Sequence, residues 1–323
     1  MRAYIVRRLL LIIPTLFLVT ILVFLLIRFI PGDVINLMVT ERQMESALVP
    51  MDQELTTEVL RHALGLDVPV HVQYGKWVSA AIQGDLGLSL WGRTSVVDQL
   101  LEKVPISFEL GLLAAIIALC ISIPIGVYSA IRQYTWTDYL GRTIAIVAIS
   151  LPSFWIATMV IVYPSIWWNW SPSMEYIPFL EDPGGNLLQF IVPAAIMGMV
   201  MSGTTMRMTR TMMLEVLRQD YIRTAWSKGL RERTIVVRHA MKNALMPVVT
   251  IVGMMVPILI GGSVILEQIF ALPGVGRWVI EAINTRDYPI ISGINLVIAT
   301  VVLACNLTVD MTYAWMDPRI RYR

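Results

Sequence analysis

Residues 220–247 read DYIRTAWSKGLRERTIVVRHAMKNALMP. This stretch is basic, whereas the segments on both sides of it are strongly apolar. The apolar stripe of residues 212–228 predicts one helix, and Gly229 predicts a sharp bend, because glycine readily adopts the left-handed conformation that ends helices. A second helix is predicted from about Glu232 to Leu245. The stretch therefore predicts a compact basic elbow, helix–bend–helix, between two apolar segments.

The composition of the whole chain shows that the sequence outside this elbow is mostly apolar. Of the 323 residues, 56% are hydrophobic and only 15% are charged, against about 25% charged in an average soluble domain. Six apolar segments are long enough, at about 20 residues, to cross a bilayer as helices. The sequence therefore predicts an all-α polytopic membrane protein. The segments lie near 9–30, 107–128, 140–166, 188–207, 248–268 and 291–313.

The distribution of charged residues predicts the orientation. Lys and Arg are concentrated in the N-terminus, the loop after the second segment, the basic elbow and the C-terminus. Positive residues remain on the cytosolic side of membrane proteins, so both termini are predicted to be cytosolic. Most acidic residues fall on the opposite side, which makes the outer surface acidic.

The segments divide the chain into four predicted parts. Residues 31–106 form an extracytoplasmic helical insertion, with helices expected over 52–65, 72–84 and 95–105 and turns over 84–95. The predicted parts are the cytosolic N-terminus with the first membrane helix (1–30), the insertion (31–106), a five-helix core that includes the cytosolic loop 208–247 (107–313), and a cytosolic tail (314–323).

No catalytic or metal site is predicted. The sequence contains no G-x-x-x-x-G-K-[ST] phosphate loop, no G-x-S-x-G and no H-E-x-x-H. The three histidines are scattered, and both cysteines lie in apolar segments. Four ionisable residues near the segments are expected to reach the interfaces: Arg28, Glu109, Glu267 and Asp310. A proton-coupled secondary transporter is expected to bury a carboxylate near the midplane of the membrane. The sequence offers no good candidate, which argues against this class of transporter.

At the elbow, the sequence resembles the coupling motif of ABC-transporter permeases, Glu-Ala-Ala, three residues, Gly, and a run ending in Ile-x-Leu-Pro. Arg223-Thr224-Ala225 stands in place of Glu-Ala-Ala, Gly229 matches, and Met246-Pro247 closes the motif. Departures of this kind are typical of the peptide-uptake branch. Four further blocks are similar to the first permease subunit of dipeptide and oligopeptide (and nickel) importers: FIPGD, ALGLDVPVHVQYGKWVSAAIQGDLGLSL, FALPGVGRWVIEAINTRDYPII and DMTYAWMDPRIR.

The resemblance implies a type I ABC importer permease fold and a set of partners. These are a second, homologous permease, two cytosolic ATPases that bind ATP and Mg²⁺, an extracytoplasmic substrate-binding protein, and the bilayer of a bacterial or archaeal plasma (inner) membrane. No cofactor is expected on this chain, and nucleic acid is not a partner. The resemblance assigns ATPase coupling to Asp220, Tyr221, Arg223, Thr224, Ala225, Lys228, Gly229 and Arg231.

Candidate gate or pathway positions follow from small and polar residues near segments four and five. They are Ser202, Thr204, Gly261, Gly262, Ser263, Pro273 and Gly274. The same residue types also pack helices together, and that alternative stays open. Residues 66–95 are expected to dock the substrate-binding protein.

Three functions remain under consideration at this stage. The first is a permease for short peptides. The second is the same machinery importing a nickel chelate, glutathione or an oligosaccharide. A stand-alone channel or secondary transporter is the third, and the elbow argues against it.

Overall fold

The computed structural model describes residues 2–28, 58, 62, 67–173, 175–261 and 263–316. Apart from turns and one β-bridge between Leu88 and Ser95, the described residues are helical. The helices are α1 (Arg2–Arg28), α2 (Val70–Ile82), α3 (Val96–Ile131), α4 (Trp136–Ser150), α5 (Ser153–Trp168), α6 (Pro183–Leu217), α7 (Asp220–Ser227), α8 (Glu232–Thr234), a π-helix (Ile235–Ala240), α9 (Met241–Ala244), α10 (Met246–Gly261), α11 (Val264–Ile269), α12 (Val275–Thr285) and α13 (Tyr288–Met316).

Several of these helices have the length and hydropathy to cross a membrane. Among the described residues, three do so alone: Val96–Ile131, Pro183–Leu217 and Tyr288–Val309. Two bent pairs bring the number to five if each pair is one span, and α1 contributes a shorter apolar stretch, Leu10–Leu25. The polytopic helical class is thus supported by the helices themselves, while the exact count of six spans stays a prediction.

The predicted segment 140–166 is two helices rather than one. Helices α4 and α5 meet at an angle of 89°. The break lies at Leu151, whose φ and ψ of −85° and 125° are extended, and Pro152 follows it. Proline disfavours the helical conformation in the residue before it, which explains why the helix ends there.

In α3, the sequence predicts a break between two helices where the structure has one continuous helix. The sequence predicts one helix over 95–105 and another over 107–128, but the structure has a single helix of 36 residues, Val96–Ile131, with Pro105 inside it. The predicted helix at 72–84 is confirmed as α2, and the turns at 84–95 are confirmed. The predicted helix at 52–65 lies outside the described residues except for Glu58 and His62, which are helical.

The described residues form two compact units. The first consists mainly of Val104–Arg277, and the second of described residues in Val6–Lys103 together with Trp278–Thr300. In the second unit, the carboxylate of Asp287 is 1% exposed and accepts hydrogen bonds from the Ser89 hydroxyl (2.6 Å) and the Leu90 N–H (3.0 Å). These bonds fasten the 84–95 turns to the corner between α12 and α13.

Close backbone approach holds α3 and α6 together in the first unit. A Cβ at Gly198 would lie 2.7 Å from the Ala114 carbonyl oxygen and 3.0 Å from Ile117. Around this contact lies an apolar core that includes Leu110 and Phe190, both fully buried. Small residues allow such approaches between helices in a membrane, where lipid supplies no hydrophobic driving force between them.

Gly198→Ala is expected to destabilise the chain, because the added methyl group has no room between α3 and α6. Overpacking of this kind costs about 1–3 kcal/mol. The matched control is Gly75→Ala in α2, where no atom lies within 4 Å of the new Cβ. Thermal unfolding in mild detergent should show a lower midpoint for Gly198→Ala only. Equal midpoints for both variants would contradict this packing.

Candidate functional site

The basic elbow, residues 220–244, begins with a break that the sequence does not predict. The single helix expected over 212–228 ends at Leu217, and α7 starts at Asp220. Between them, Arg218 closes α6 through its N–H bond to the Glu215 carbonyl oxygen, and Gln219 has extended backbone angles of −72° and 149°. The elbow therefore starts as a separate helix on a short turn.

The bend at Gly229 is confirmed. Its φ is +73°, in the left-handed region that favours glycine. The Gly229 N–H donates to the Trp226 carbonyl oxygen at 2.9 Å, and the Leu230 N–H donates to the Ala225 carbonyl oxygen at 3.4 Å. These two bonds form a Schellman motif, which satisfies carbonyl groups at the end of α7. The direction in which the chain leaves α7 is thus fixed by backbone hydrogen bonds.

The second arm of the elbow lies where the sequence predicts a helix, but its central part is a π-helix. It consists of α8, the π-helix Ile235–Ala240 and α9. The two arms are joined by a hydrogen bond of 2.8 Å from the Asn243 side-chain amide to the Tyr221 hydroxyl. A weaker contact of 3.9 Å connects Glu232 with Arg132, the residue that follows α3.

The elbow has an apolar underside. Ile222 is fully buried and Ala225 is 7% exposed. They belong to a cluster of buried residues from α3, α6 and both arms of the elbow. The cluster contains Val127, Ala130, Met213, Ile222, Ala225, Ile235, Val236, Ala240 and Ala244. The methyl group of Ala225 faces this cluster, so Ala225 supports the elbow from inside. The resemblance assigns this residue to ATPase coupling without distinguishing such support from surface contact.

The other residues to which the resemblance assigns ATPase coupling are exposed. These are Asp220, Tyr221, Arg223, Thr224, Lys228, Gly229 and Arg231. The Arg223 guanidinium lies 3.4 Å from the Asp220 carboxylate, and both side chains are largely exposed. An exposed pair of this type contributes at most about 1 kcal/mol to stability. These residues are therefore available to a partner.

Trp226 is a surface residue that the sequence analysis missed. Its side chain is 49% exposed and lies at the border between the buried and the charged side of α7, four residues after Ile222. Tryptophan and arginine are the residue types most enriched among those that dominate binding energy at protein interfaces. Its position one residue after the Arg223-Thr224-Ala225 block was the available signal, because the helical period places it outside the apolar stripe.

A buried ion pair fixes the helix that carries the elbow. Arg210 of α6 donates two hydrogen bonds of 2.7 Å to the carboxylate of Asp138 in α4. Asp138 is fully buried, and it also accepts a 3.1 Å bond from the Tyr134 N–H. Removal of one partner from a buried pair costs about 3–5 kcal/mol, because the other charge stays buried without compensation. The pair therefore locks α4 to α6 about three turns before the elbow.

A second polar cluster, the carboxylate node, surrounds Glu267 in α11. Glu267 and Ser107 of α3 are both fully buried. The Ser107 hydroxyl donates to one carboxylate oxygen at 2.8 Å, and the Arg277 N–H donates to the other at 3.0 Å. The Val275 N–H in turn donates to the Ser107 oxygen at 2.8 Å. The node thus satisfies N–H groups in the first turn of α12 and joins it to α3 and α11.

The node explains the candidate gate turn. A Cβ at Gly274 would lie 2.5 Å from both the Glu267 carboxylate and the Ser107 hydroxyl, so only glycine fits. Pro273 precedes it and is partly buried. The expectation that Glu267 reaches an interface is therefore wrong. Its flanking sequence is amphipathic and gives no sign that α12 folds back over the carboxylate.

The other candidate pathway residues have different environments. Ser202 is buried, and its hydroxyl donates to the Met199 carbonyl oxygen of its own helix, so in this chain it packs rather than lines a surface. Thr204 is exposed. Gly261 ends α10, and the Ser263 hydroxyl accepts from the Leu266 N–H at the start of α11. Gly262, between them, lies outside the described residues.

Two family models cover most of the chain. Residues 122–322 match the model described as the inner membrane component of binding-protein-dependent transport systems. Residues 1–111 match the model for the N-terminal part of the membrane component of such systems. The second match covers α1, α2 and the start of α3, and the first contains the basic elbow and most of the carboxylate node.

Several relatives match this chain along its whole length. It is 36% identical over 346 residues to the dipeptide transport system permease protein DppB of Escherichia coli (strain K12), and 38% identical over 343 residues to the di/tripeptide transport system permease protein DppB of Pseudomonas aeruginosa. A peptide transport system permease of Brucella abortus (strain 2308) is 40% identical over 322 residues. Each match covers all of both chains.

Replacement of Glu267 is expected to release the gate turn. Each donor left without an acceptor in a buried site costs about 1–3 kcal/mol. Glu267→Ala removes the acceptor of both the Ser107 hydroxyl and the Arg277 N–H, whereas Glu267→Gln retains one oxygen and the shape. Thermal unfolding should therefore rank wild type above Gln and Gln above Ala. The exposed Glu102→Gln is the control, and a Glu267→Ala midpoint equal to that control would contradict the node.

Proposed function

We propose, from the premise that this chain belongs to the family of inner membrane components of binding-protein-dependent transport systems, that it is a permease subunit of an ATP-driven importer of short peptides. The full-length relatives carry dipeptide, di/tripeptide and peptide transport names, which supports the choice of solute class. The chain forms half of the translocation pathway, and a second, homologous permease forms the other half.

Energy enters through the basic elbow. The observation that carries this proposal is the two-sided construction of α7: Ile222 and Ala225 are buried against α3 and α6, while Trp226 and the charged residues face outward. A surface of this type fits a groove on a partner, with a half-exposed aromatic anchor beside exposed charges. The partner is one of two cytosolic ATPases, which hold ATP and Mg²⁺.

The movement of the ATPase reaches the membrane helices as a rigid-body displacement. The Schellman motif at Gly229 and the bond between Asn243 and Tyr221 keep the two arms of the elbow in a fixed relation. The pair of Asp138 and Arg210 then connects α6 to α4. Because tightly packed contacts of this kind do not deform continuously, displacement of the elbow moves these helices together between two discrete arrangements.

The topology completes the proposal. Six spans of the type I importer permease fold place both termini in the cytosol, with the insertion between the first two helices on the outer side. An extracytoplasmic substrate-binding protein delivers the peptide there. The pathway opens alternately to each side as nucleotide shifts the population between the two arrangements. The turn at Pro273 and Gly274, held by Glu267, acts as the outer gate.

Gly229→Val is expected to uncouple transport from ATP hydrolysis. A β-branched residue in the left-handed conformation costs about 1–2 kcal/mol, so the chain leaves α7 in another direction. No atom lies within 4 Å of the new Cβ, so a packing clash is not the cause. The measurement is ATP-driven uptake of a labelled dipeptide into proteoliposomes, together with co-purification of the ATPases. Both should fall strongly.

The matched control is Gly75→Val in α2, which makes the same substitution outside the elbow, at a position with open space and without a left-handed backbone. It should retain most of the uptake and all of the membrane insertion. Wild-type uptake by Gly229→Val at normal expression would count against the coupling role of the elbow.

A further inference from the structure

Helix α2 is fastened to α1 by an aromatic cluster. The ring of Tyr74 lies 5.3 Å from that of Phe24 and 6.4 Å from that of Phe17, and the ring of Trp77 lies 6.0 Å from Phe24, measured between ring centroids. The Tyr74 hydroxyl is also hydrogen-bonded to the Thr20 hydroxyl at 2.8 Å. These contacts set the position of α2 along the axis of α1.

That position is inside the apolar part of α1. The apolar stretch of α1 extends at least to Leu25. At about 1.5 Å per residue, Thr20 lies about 7 Å and Phe17 about 12 Å inward from Leu25. The Tyr74 side chain reaches both Phe17 and Thr20. Its ring therefore lies deeper in the apolar part of α1 than Leu25 does. Water-exposed domains do not place side chains at this depth.

The two faces of α2 differ in the way expected of a helix at a membrane surface. Tyr74 and Trp77 face α1, and both are amphipathic aromatic residues of the type enriched at the boundary between acyl chains and headgroups. The opposite face exposes His71, Gly75, Lys76 and Ser79. Helix α2 contains no acidic residue, in contrast to the acidic outer surface predicted for the rest of the chain.

Apolar side chains at the ends of α2 support the same environment. Ile82, its last residue, is 81% exposed, and Val70, its first, is 47% exposed. Both would face water if α2 belonged to a soluble insertion. At the acyl boundary they are in contact with lipid, and the Lys76 ammonium reaches the phosphates while its methylene stem stays in the apolar layer.

We propose that α2 lies in the interfacial layer of the outer leaflet, with Tyr74 and Trp77 at acyl-chain depth and Lys76 at the lipid phosphates. The assignment to the outer leaflet rests on the orientation in the proposed function, whereas the depth does not. The surface available to a substrate-binding protein within residues 66–95 is then the turn region 84–95 rather than α2.

Nitroxide accessibility tests this depth directly. Cys120 and Cys305 are replaced by serine, and single cysteines at Ser79 or Ile82, both exposed, are labelled in the full chain with its co-purified subunits. The assembly is placed in bilayer discs of phosphatidylethanolamine and phosphatidylglycerol. Collision with oxygen, which enters lipid, is compared with collision with a water-soluble nickel chelate. Ile13 on α1 supplies the hydrocarbon reference, and Ser227 on the elbow, measured after the co-purified ATPases have been removed, supplies the aqueous reference.

The label at Ile82 should show an oxygen-to-nickel collision ratio well above that at Ser227 and below that at Ile13, and Ser79 should lie closer to the aqueous reference. Lys76→Glu should shift the Ser79 label toward water, because it repels lipid phosphates, and Lys76→Arg should leave it unchanged. Ratios at Ser79 and Ile82 equal to that at Ser227 would overturn the proposal and return α2 to a docking surface for the binding protein. This readout needs no transport, so it is independent of the proposed function.

Discussion

Polar groups inside a lipid bilayer have no water to bind, and a chain as apolar as this one must satisfy them within itself. Helices solve the problem for the backbone. Several buried polar side chains solve it in pairs and small clusters, as Arg210 does with Asp138 and Glu267 does with Ser107. Each cluster joins separate segments of the chain, so the places where polarity is tolerated are also the places where helices are fixed to one another.

The basic elbow has to meet two requirements at once. It has to remain attached to the membrane helices and also present a surface to a partner. The chain achieves this by a division of faces, in which Ile222 and Ala225 pack into the apolar cluster while Arg223 and Thr224 face outward. The Schellman motif at Gly229 adds stiffness without side-chain contacts. An attached surface of this kind moves with the helices beneath it, which is the requirement for transmission of nucleotide-driven motion.

The sequence predicts those features that depend on local rules. Apolar length indicates the membrane helices, and Gly229 predicts the bend because few residues other than glycine adopt that conformation. Proline shows where local rules fail. Pro105 lies inside the continuous helix α3, whereas the helix before Pro152 ends. The two sites look alike in sequence, and the outcome depends on tertiary packing that no local pattern contains.

The burial of Glu267 and of Ala225 could not be predicted from the sequence, for a related reason. Glu267 is buried because α12 folds back over it. The donors of this cluster come from residue 107 and residues 275–277, which are separate parts of the sequence. Ala225 belongs to a motif in which the resemblance does not distinguish residues that contact the partner from residues that support the contact. Only burial separates the two roles.

Contact between the basic elbow and an ATPase is the central claim, and site-specific photo-crosslinking tests it most directly. A photoreactive phenylalanine analogue replaces Trp226, and the same analogue replaces Trp136, another exposed tryptophan outside the elbow, as the control. Irradiation of the assembled complex in membranes should give an adduct between position 226 and an ATPase subunit, identified by mass spectrometry, and none from position 136. Adducts of position 226 with lipid or with the second permease alone would contradict the account.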